Sequence, residues 1–197
     1  MTVWDHAAPR WVRYRLGLVG PSTQTTAAER ACLARHAAGR RCLVELGVMH
    51  GVTTAVLRAA MAADGVVYGV DPHPPGRMGI SFERLVARRE LRKHPRGGAV
   101  LVRKCSRDAA RGWKAPIDFL FIDADHSWDA IAADWSDWTP HVVAGGRVGL
   151  HDSRSVAERE DHDSVRFTTE VVLADDRFRV IDAVDSLTVL ERRPTAA

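Results

Sequence analysis

The chain has 197 residues, with 28 Lys and Arg against 25 Asp and Glu, for a formal charge of +3. That length suits one domain with at most a short appendage, and 46% apolar with 27% charged residues excludes a mainly disordered or low-complexity chain. No apolar run approaches the roughly 20 residues of a membrane span. The charged, Trp-containing start MTVWDHAAPRWVRYR lacks the apolar core of a secretory signal, so a cytoplasmic protein with no membrane partner is expected.

Only Lys93, Lys104 and Lys114 among the basic residues are lysines. The arginines are interspersed with acids rather than clustered with aromatics, so no nucleic-acid partner is expected. The nearest approach to a basic patch, Arg84 to Arg96, reads as a solvated helix face. Cys32, Cys42 and Cys105 lack CxxC spacing, which argues against a disulfide framework or a thiolate zinc site.

In chain order, Thr26-Ala-Ala-Glu29 is a capping-box pattern opening a helix towards Ala38. Residues 1–39 are read as a helical N-terminal segment capping the substrate side, and residues 40–197 as the main domain. From about residue 40, short apolar runs alternate with amphipathic stretches of helical length. The runs Cys42–Leu46, Val66–Val70, Ala99–Val102, Ile117–Ile122 and Val148–Leu150 have the composition of buried parallel strands. Helices are expected over Val52–Ala63, Ser81–Lys93, from Ser127 through Trp138, and over Asp163–Ala174. In the third of these, Ile131, Trp135 and Trp138 share a core-facing stripe. The runs Phe178–Ile181 and Ser186–Leu190 are so closely connected that they must pair antiparallel. The expected class is α/β, with helices on both faces of a mostly parallel sheet.

Four segments carry chemistry. Val44-Glu45-Leu46-Gly47-Val48-Met49-His50-Gly51 joins a strand to a helix, where glycines permit close backbone approach and the helix start favours a negative group. Its Glu-x-Gly-x-x-x-Gly spacing differs from the dinucleotide fingerprint, which disfavours a nicotinamide oxidoreductase. Asp71 ends the second strand, where an acid can accept hydrogen bonds from both hydroxyls of a ribose. Two further strands end in Asp123-Ala-Asp125-His126 and in His151-Asp152. In a parallel sheet all four segments converge on one edge.

These motifs resemble the class I S-adenosylmethionine-dependent O-methyltransferases, specifically the bacterial metal-dependent branch with FIDADH- or FIDGDHSY-type and LHDS-type motifs. The resemblance covers roughly residues 40 to 192 and rests on VELGVMHG, GVDPHP, FIDADHSW and GGRVGLHDS. It implies a Rossmann-like methyltransferase fold with a seven-stranded sheet whose last strand is antiparallel. It implies S-adenosylmethionine held by Glu45, Gly47, Gly51, Thr53, Asp71, Ser106 and Asp123. It also implies a divalent metal on Asp123, His151 and Asp152: Mg²⁺ by family, with Mn²⁺ or another first-row ion the alternative because His151 supplies an imidazole. The catalytic base is His126 or Asp125. The acceptor would be a hydroxyl of a sugar or other secondary metabolite, and a homodimer is the expected assembly. A non-catalytic S-adenosylmethionine-binding protein is the remaining alternative. Acceptor-side residues are expected from Trp4, Trp11, Arg13 and Tyr14, from Arg77 to Arg88, and from the loop after Ser153.

Overall fold

The computed structural model describes residues 7–76, 79–156 and 163–194. Trp4 and Arg77 lie outside the described residues. Helix α1 (Ala7–Arg15) and helix α2 (Ala27–Ala37) precede the sheet. Then follow β1 (Cys42–Leu46), α3 (Val52–Ala60), β2 (Val66–Val70), α4 (Phe82–Arg92), β3 (Gly98–Val102), α5 (Ser106–Ala110) and β4 (Ile117–Ile122). The chain continues through α6 (Trp128–Trp138), β5 (Val142–Leu150), α7 (Asp163–Phe167), β6 (Phe178–Val184) and β7 (Leu187–Arg192). Among the described residues, no helix is long and apolar enough to cross a membrane.

The seven strands are ordered β3-β2-β1-β4-β5-β7-β6. The first five are parallel, and β7 is antiparallel to both β5 and β6. This is the Rossmann-like methyltransferase sheet that the motifs imply. Strand β5 is longer than the Val148–Leu150 run. It starts at Val142, and Ile117 pairs with Val142 whereas Phe119 pairs with Arg147. The extra residues bulge out at Gly145, whose φ is 73°, so the apolar alternation is broken where the strand begins.

Alternate residues of the central strands fill two cores. Leu43, Phe119, Phe121 and Leu187 pack with Cys32 and Leu33 of α2 and Leu57 of α3. Val44, Leu46, Leu120, Ile122 and Val148 pack on the opposite face with Ile131, Trp135 and Trp138 of α6. The Trp stripe is therefore core, and Trp138 is fully buried. Its truncation to Ala would cost about 3–5 kcal/mol. With both faces covered, polar residues collect at the strand ends.

Candidate active site

The carboxyl ends of β1, β4 and β5 are stitched together beyond the strands. Asp123 N donates to Leu46 O at 2.9 Å, and His151 N donates to Ile122 O at 3.1 Å. Successive strand ends thus place Gly47, Asp123 and His151 side by side. Gly47 has φ +85°, and a Cβ there would sit 2.0 Å from the Asp123 carbonyl oxygen. The glycine is required by a neighbouring strand end as well as by any ligand. Gly51, with φ +71°, opens α3 and lies against Ala87 of α4.

Asp71 anchors this turn. Its Oδ2 accepts from Val48 N at 2.9 Å and Met49 N at 3.0 Å, and its Oδ1 accepts from His73 N at 2.7 Å. The buried His73 ring lies 3.0 Å from Met49 O and closes the same loop. Glu45, Gly47, Thr53, Asp71, Ser106 and Asp123 all line one groove of about 540 Å³. Of the seven residues expected at a cofactor, Gly51 alone is outside that lining. Ser22, Thr23, Gln24 and Cys105 also face the groove and carry no readable motif. Glu45 is buried at its floor. Burial, reinforced by Asp123 and Asp71, pushes its carboxyl well above the usual range.

At one end of the groove stands a cluster of acids and imidazoles. His151 Nδ1 is 3.0 Å from Asp123 Oδ1 and 3.5 Å from Asp152 Oδ1. His126 Nε2 is 3.8 Å from both Asp123 Oδ1 and Asp152 Oδ2. His151 is 1% exposed, and burial opposes its positive charge. Contacts with Asp123 and Glu29, with the charge of Asp152, overcome that and raise its pKa to about 10. Neither ring nitrogen has an aligned hydrogen-bond partner despite these short separations.

That combination fits a cation. Ligand atoms of Asp123, His126 and His151 lie within 4.8 Å of one another, and Asp152 adjoins them. A mixed nitrogen and oxygen donor set suits a first-row divalent ion. The geometry brings together the three expected ligands, with His126 Nε2 beside them at 3.8 Å from Asp123 and Asp152. Asp125 behaves differently. It is exposed, and its Oδ1 accepts from Ser127 N at 2.9 Å at the start of α6. That bond lowers its pKa below the usual carboxylate value.

Glu29 is the participant that spacing did not reveal. Its capping box with Thr26 forms as the pattern predicts. Yet Glu29 is 1% exposed, and its Oε2 stands 3.4 Å from His151 Nε2. His151 lies far along the chain, so no local pattern signals the contact.

A second pocket of about 410 Å³ adjoins the groove, sharing Ser22 and Met49 with it. Trp11 and Tyr14 of α1 face Phe82 and Val86 of α4 across it. His50 lies in its wall, its Nδ1 accepting from Ser22 N at 2.7 Å, and burial lowers its pKa. Two of the segments expected on the acceptor side thus meet here.

Several solved structures share this architecture. A cofactor-bound protein from MTB is 20% identical, with a TM-score of 0.70 over 97% of this chain and 91% of that one. The O-methyltransferase TomG from Streptomyces achromogenes, involved in tomaymycin synthesis and solved with SAM, is 16% identical, with a TM-score of 0.64 over 96% and 91%. An rRNA methylase from Streptococcus thermophilus is 14% identical, with a TM-score of 0.59 over 84% and 95%. At such identities the likeness is one of fold and does not choose between acceptors. The sequence itself is more specific. A model described as a methyltransferase domain matches residues 44–153, from the glycine turn to the residue after Asp152. That is more than half of the chain, so the protein belongs to this methyltransferase-domain family.

Proposed function

We propose that this methyltransferase transfers a methyl group from S-adenosylmethionine to a hydroxyl of a small molecule, with a divalent cation held by Asp123, His151 and Asp152. The observation that carries the reading is the meeting of Asp123, His126 and His151 at the end of the groove that holds Glu45, Asp71 and Ser106. The sulfonium of the cofactor supplies an electrophilic methyl group. A divalent cation supplies Lewis acidity that eases loss of a hydroxyl proton.

The chain's own residues do the rest. Asp71, in the groove wall at the end of β2, would hold the ribose. Its Oδ2 already takes two backbone N–H groups, so Oδ1 is the freer oxygen. Glu45 and Thr53 would meet the methionine end. His126 is the proposed base. Its side chain is 29% exposed, open to an incoming acceptor, and it accepts the hydroxyl proton at Nε2. Loss of that proton would leave the acceptor oxygen as the nucleophile for the methyl group that the cofactor would supply, with S-adenosylhomocysteine as the leaving group. Asp125, with its lowered pKa and its bond to Ser127, is the weaker proton acceptor. The pocket between α1 and α4 has the size and apolar aromatic walls for the body of a sugar-bearing or other secondary metabolite.

Calorimetry with S-adenosylmethionine, then with Mg²⁺ or Mn²⁺, tests the two halves separately. One cofactor site and one divalent site are expected. With a panel of hydroxylated acceptors, S-adenosylhomocysteine formation should stop in excess chelator. Undiminished turnover there would remove the metal from the reading, and failure to bind S-adenosylmethionine would remove the whole of it.

A further inference from the structure

We infer that Glu29 is a positioning residue for the metal centre: its carboxylate keeps a proton on His151 Nε2 and so turns His151 Nδ1, as a lone pair, towards Asp123 and Asp152. This rests on the cation reading given above.

The placement of Glu29 exceeds what a helix cap requires. A capping-box acid needs one bond, to the backbone N–H of the capping residue, and Glu29 Oε2 makes it with Thr26 N at 2.8 Å. Its Oε1 takes two more donors from the β6–β7 turn, Ser186 N at 3.0 Å and Ser186 Oγ at 2.7 Å. Three donors from two elements fix the plane of a carboxylate that is 1% exposed. Burying an ionised group costs several kcal/mol, whereas a cap returns about 1. The orientation so fixed leaves Oε2 3.4 Å from His151 Nε2.

An imidazole has two neutral tautomers, and Glu29 discriminates between them. With the proton on Nδ1, a bare Nε2 lone pair would face the Glu29 carboxylate in a site closed to water. With the proton on Nε2, that clash becomes an attraction. Nδ1 then presents its lone pair among Asp123 Oδ1 and Asp152 Oδ1, at 3.0 and 3.5 Å. Without a metal a second proton on Nδ1 faces these oxygens, and a bound cation would take that proton's place. Metal-bound histidines are oriented in this way, by an acceptor on the second nitrogen. Glu29 also ties the start of α2 and the β6–β7 turn to the metal site, although neither segment lines the groove's acid end.

Mn²⁺ titrations of the full chain, by calorimetry, test this in wild type, Glu29→Gln and Thr26→Ala. The Gln variant must set an NH₂ against donors on one side or against His151 Nε2 on the other. It should bind Mn²⁺ about 10–100-fold more weakly while keeping a cooperative melt. Thr26→Ala removes the cap bond to Glu29 N and the bond to Asp185 but leaves the Glu29 carboxylate, so it should lower Tm and leave Mn²⁺ affinity unchanged. Should Glu29→Gln fail to fold, Glu29→Asp keeps the charge but withdraws the carboxylate from His151, and it must still weaken Mn²⁺. Wild-type affinity in the Glu29 variants overturns the inference and leaves the metal reading standing. Equal losses in Thr26→Ala and Glu29→Gln also overturn it, because the effect would then be helix anchoring. No saturable Mn²⁺ site in wild type overturns the metal reading and this inference with it.

Discussion

Helix α2 carries an imidazole–carboxylate cluster at each end, and the two are wired in opposite ways. Near its C-terminus, His36 Nε2 lies 2.9 Å and Arg35 Nη2 3.1 Å from Asp182 Oδ2 of β6, with Cys32 Sγ at 3.4 Å. Arg147 of β5 donates to His36 Nδ1 at 3.0 Å. That bond settles the tautomer: the ring proton is on Nε2 and is given to Asp182. Both histidine nitrogens are thus committed, and the guanidinium of Arg35 balances the acid. Cys32, His36 and Asp182 have the spacing of metal ligands, but His36 has no lone pair left to bind with. Two turns back along the helix, Glu29 meets His151, and the cationic partners of Glu29 and Asp123 among the described residues are imidazoles alone. A histidine beside an aspartate is therefore not itself a cation site. On the proposed reading, the first cluster is closed because Arg147 has already claimed the His36 lone pair.

The sharpest way to break this contrast is to delete one acid from each cluster. Asp123→Ala should abolish Mn²⁺ binding and cost on the order of 10⁴ in turnover, with a cooperative melt retained. Asp182→Ala should leave both unchanged. Comparable losses of turnover in the two would erase the distinction.

Next in size is the base. His126→Asn should cost on the order of 10³ in rate with cofactor binding intact, and Asp125→Asn should cost less. A dead Asp125→Asn beside an active His126→Asn would reverse the roles.

A third change imports the logic of one cluster into the other. His126→Arg sets a guanidinium beside Asp123 and Asp152, which should lower Mn²⁺ affinity at least about tenfold and hold or raise Tm. A fall in Tm, read by calorimetry, would show that the cluster is not short of positive charge.

Asp182 gives a smaller, pH-dependent effect. Bonds from His36, then Arg35 and Cys32, hold its pKa well below the usual value. A carboxyl depressed on folding stabilises the native state above its unfolded pKa, near ~3.9, and that support is lost as pH falls through the native value. With 29% of the side chain exposed, about 1 kcal/mol is at stake. Urea unfolding should show Asp182→Asn less stable at pH 7, with the difference shrinking as pH falls below about 4.

Asp134 of α6 is the reference case, a 3% exposed acid with a serine as its main partner. Burial, offset in part by Ser106, raises its pKa to about 6. The native state is thus favoured at low pH, and that advantage fades as pH rises through about 6. Asp134→Asn should raise Tm by about 2–5 °C at pH 8 and change little at pH 4.

The sheet, the Trp core and the meeting of Asp123, His126, His151 and Asp152 were legible because each depends on periodicity or on where a strand ends. The bulge at Gly145 interrupts the apolar pattern, so the sequence shows only the end of β5. Helix α5 was missed because five residues carry too little periodicity to declare it. Thr26 and Glu29 announced a capping box, but the partner of the same carboxylate lies across the sheet, and only packing reveals it. Asp71 was read for a ribose. Its grip on Val48 and Met49 is a backbone contact to which any side chain in the turn is indifferent, so composition is silent about it.

The absent side chain of Gly47 has a consequence for how this enzyme can diversify. The cofactor turn and the strand that delivers Asp123 touch there through main chain alone. The proposed donor and cation sites are therefore joined through backbone at the strand ends. The pocket walls proposed for the acceptor, α1 with Trp11 and Tyr14 and α4 with Phe82 and Val86, stand outside that junction. They can be recut for a new acceptor, by natural drift or by a protein engineer, without retuning the distance over which the methyl group must travel.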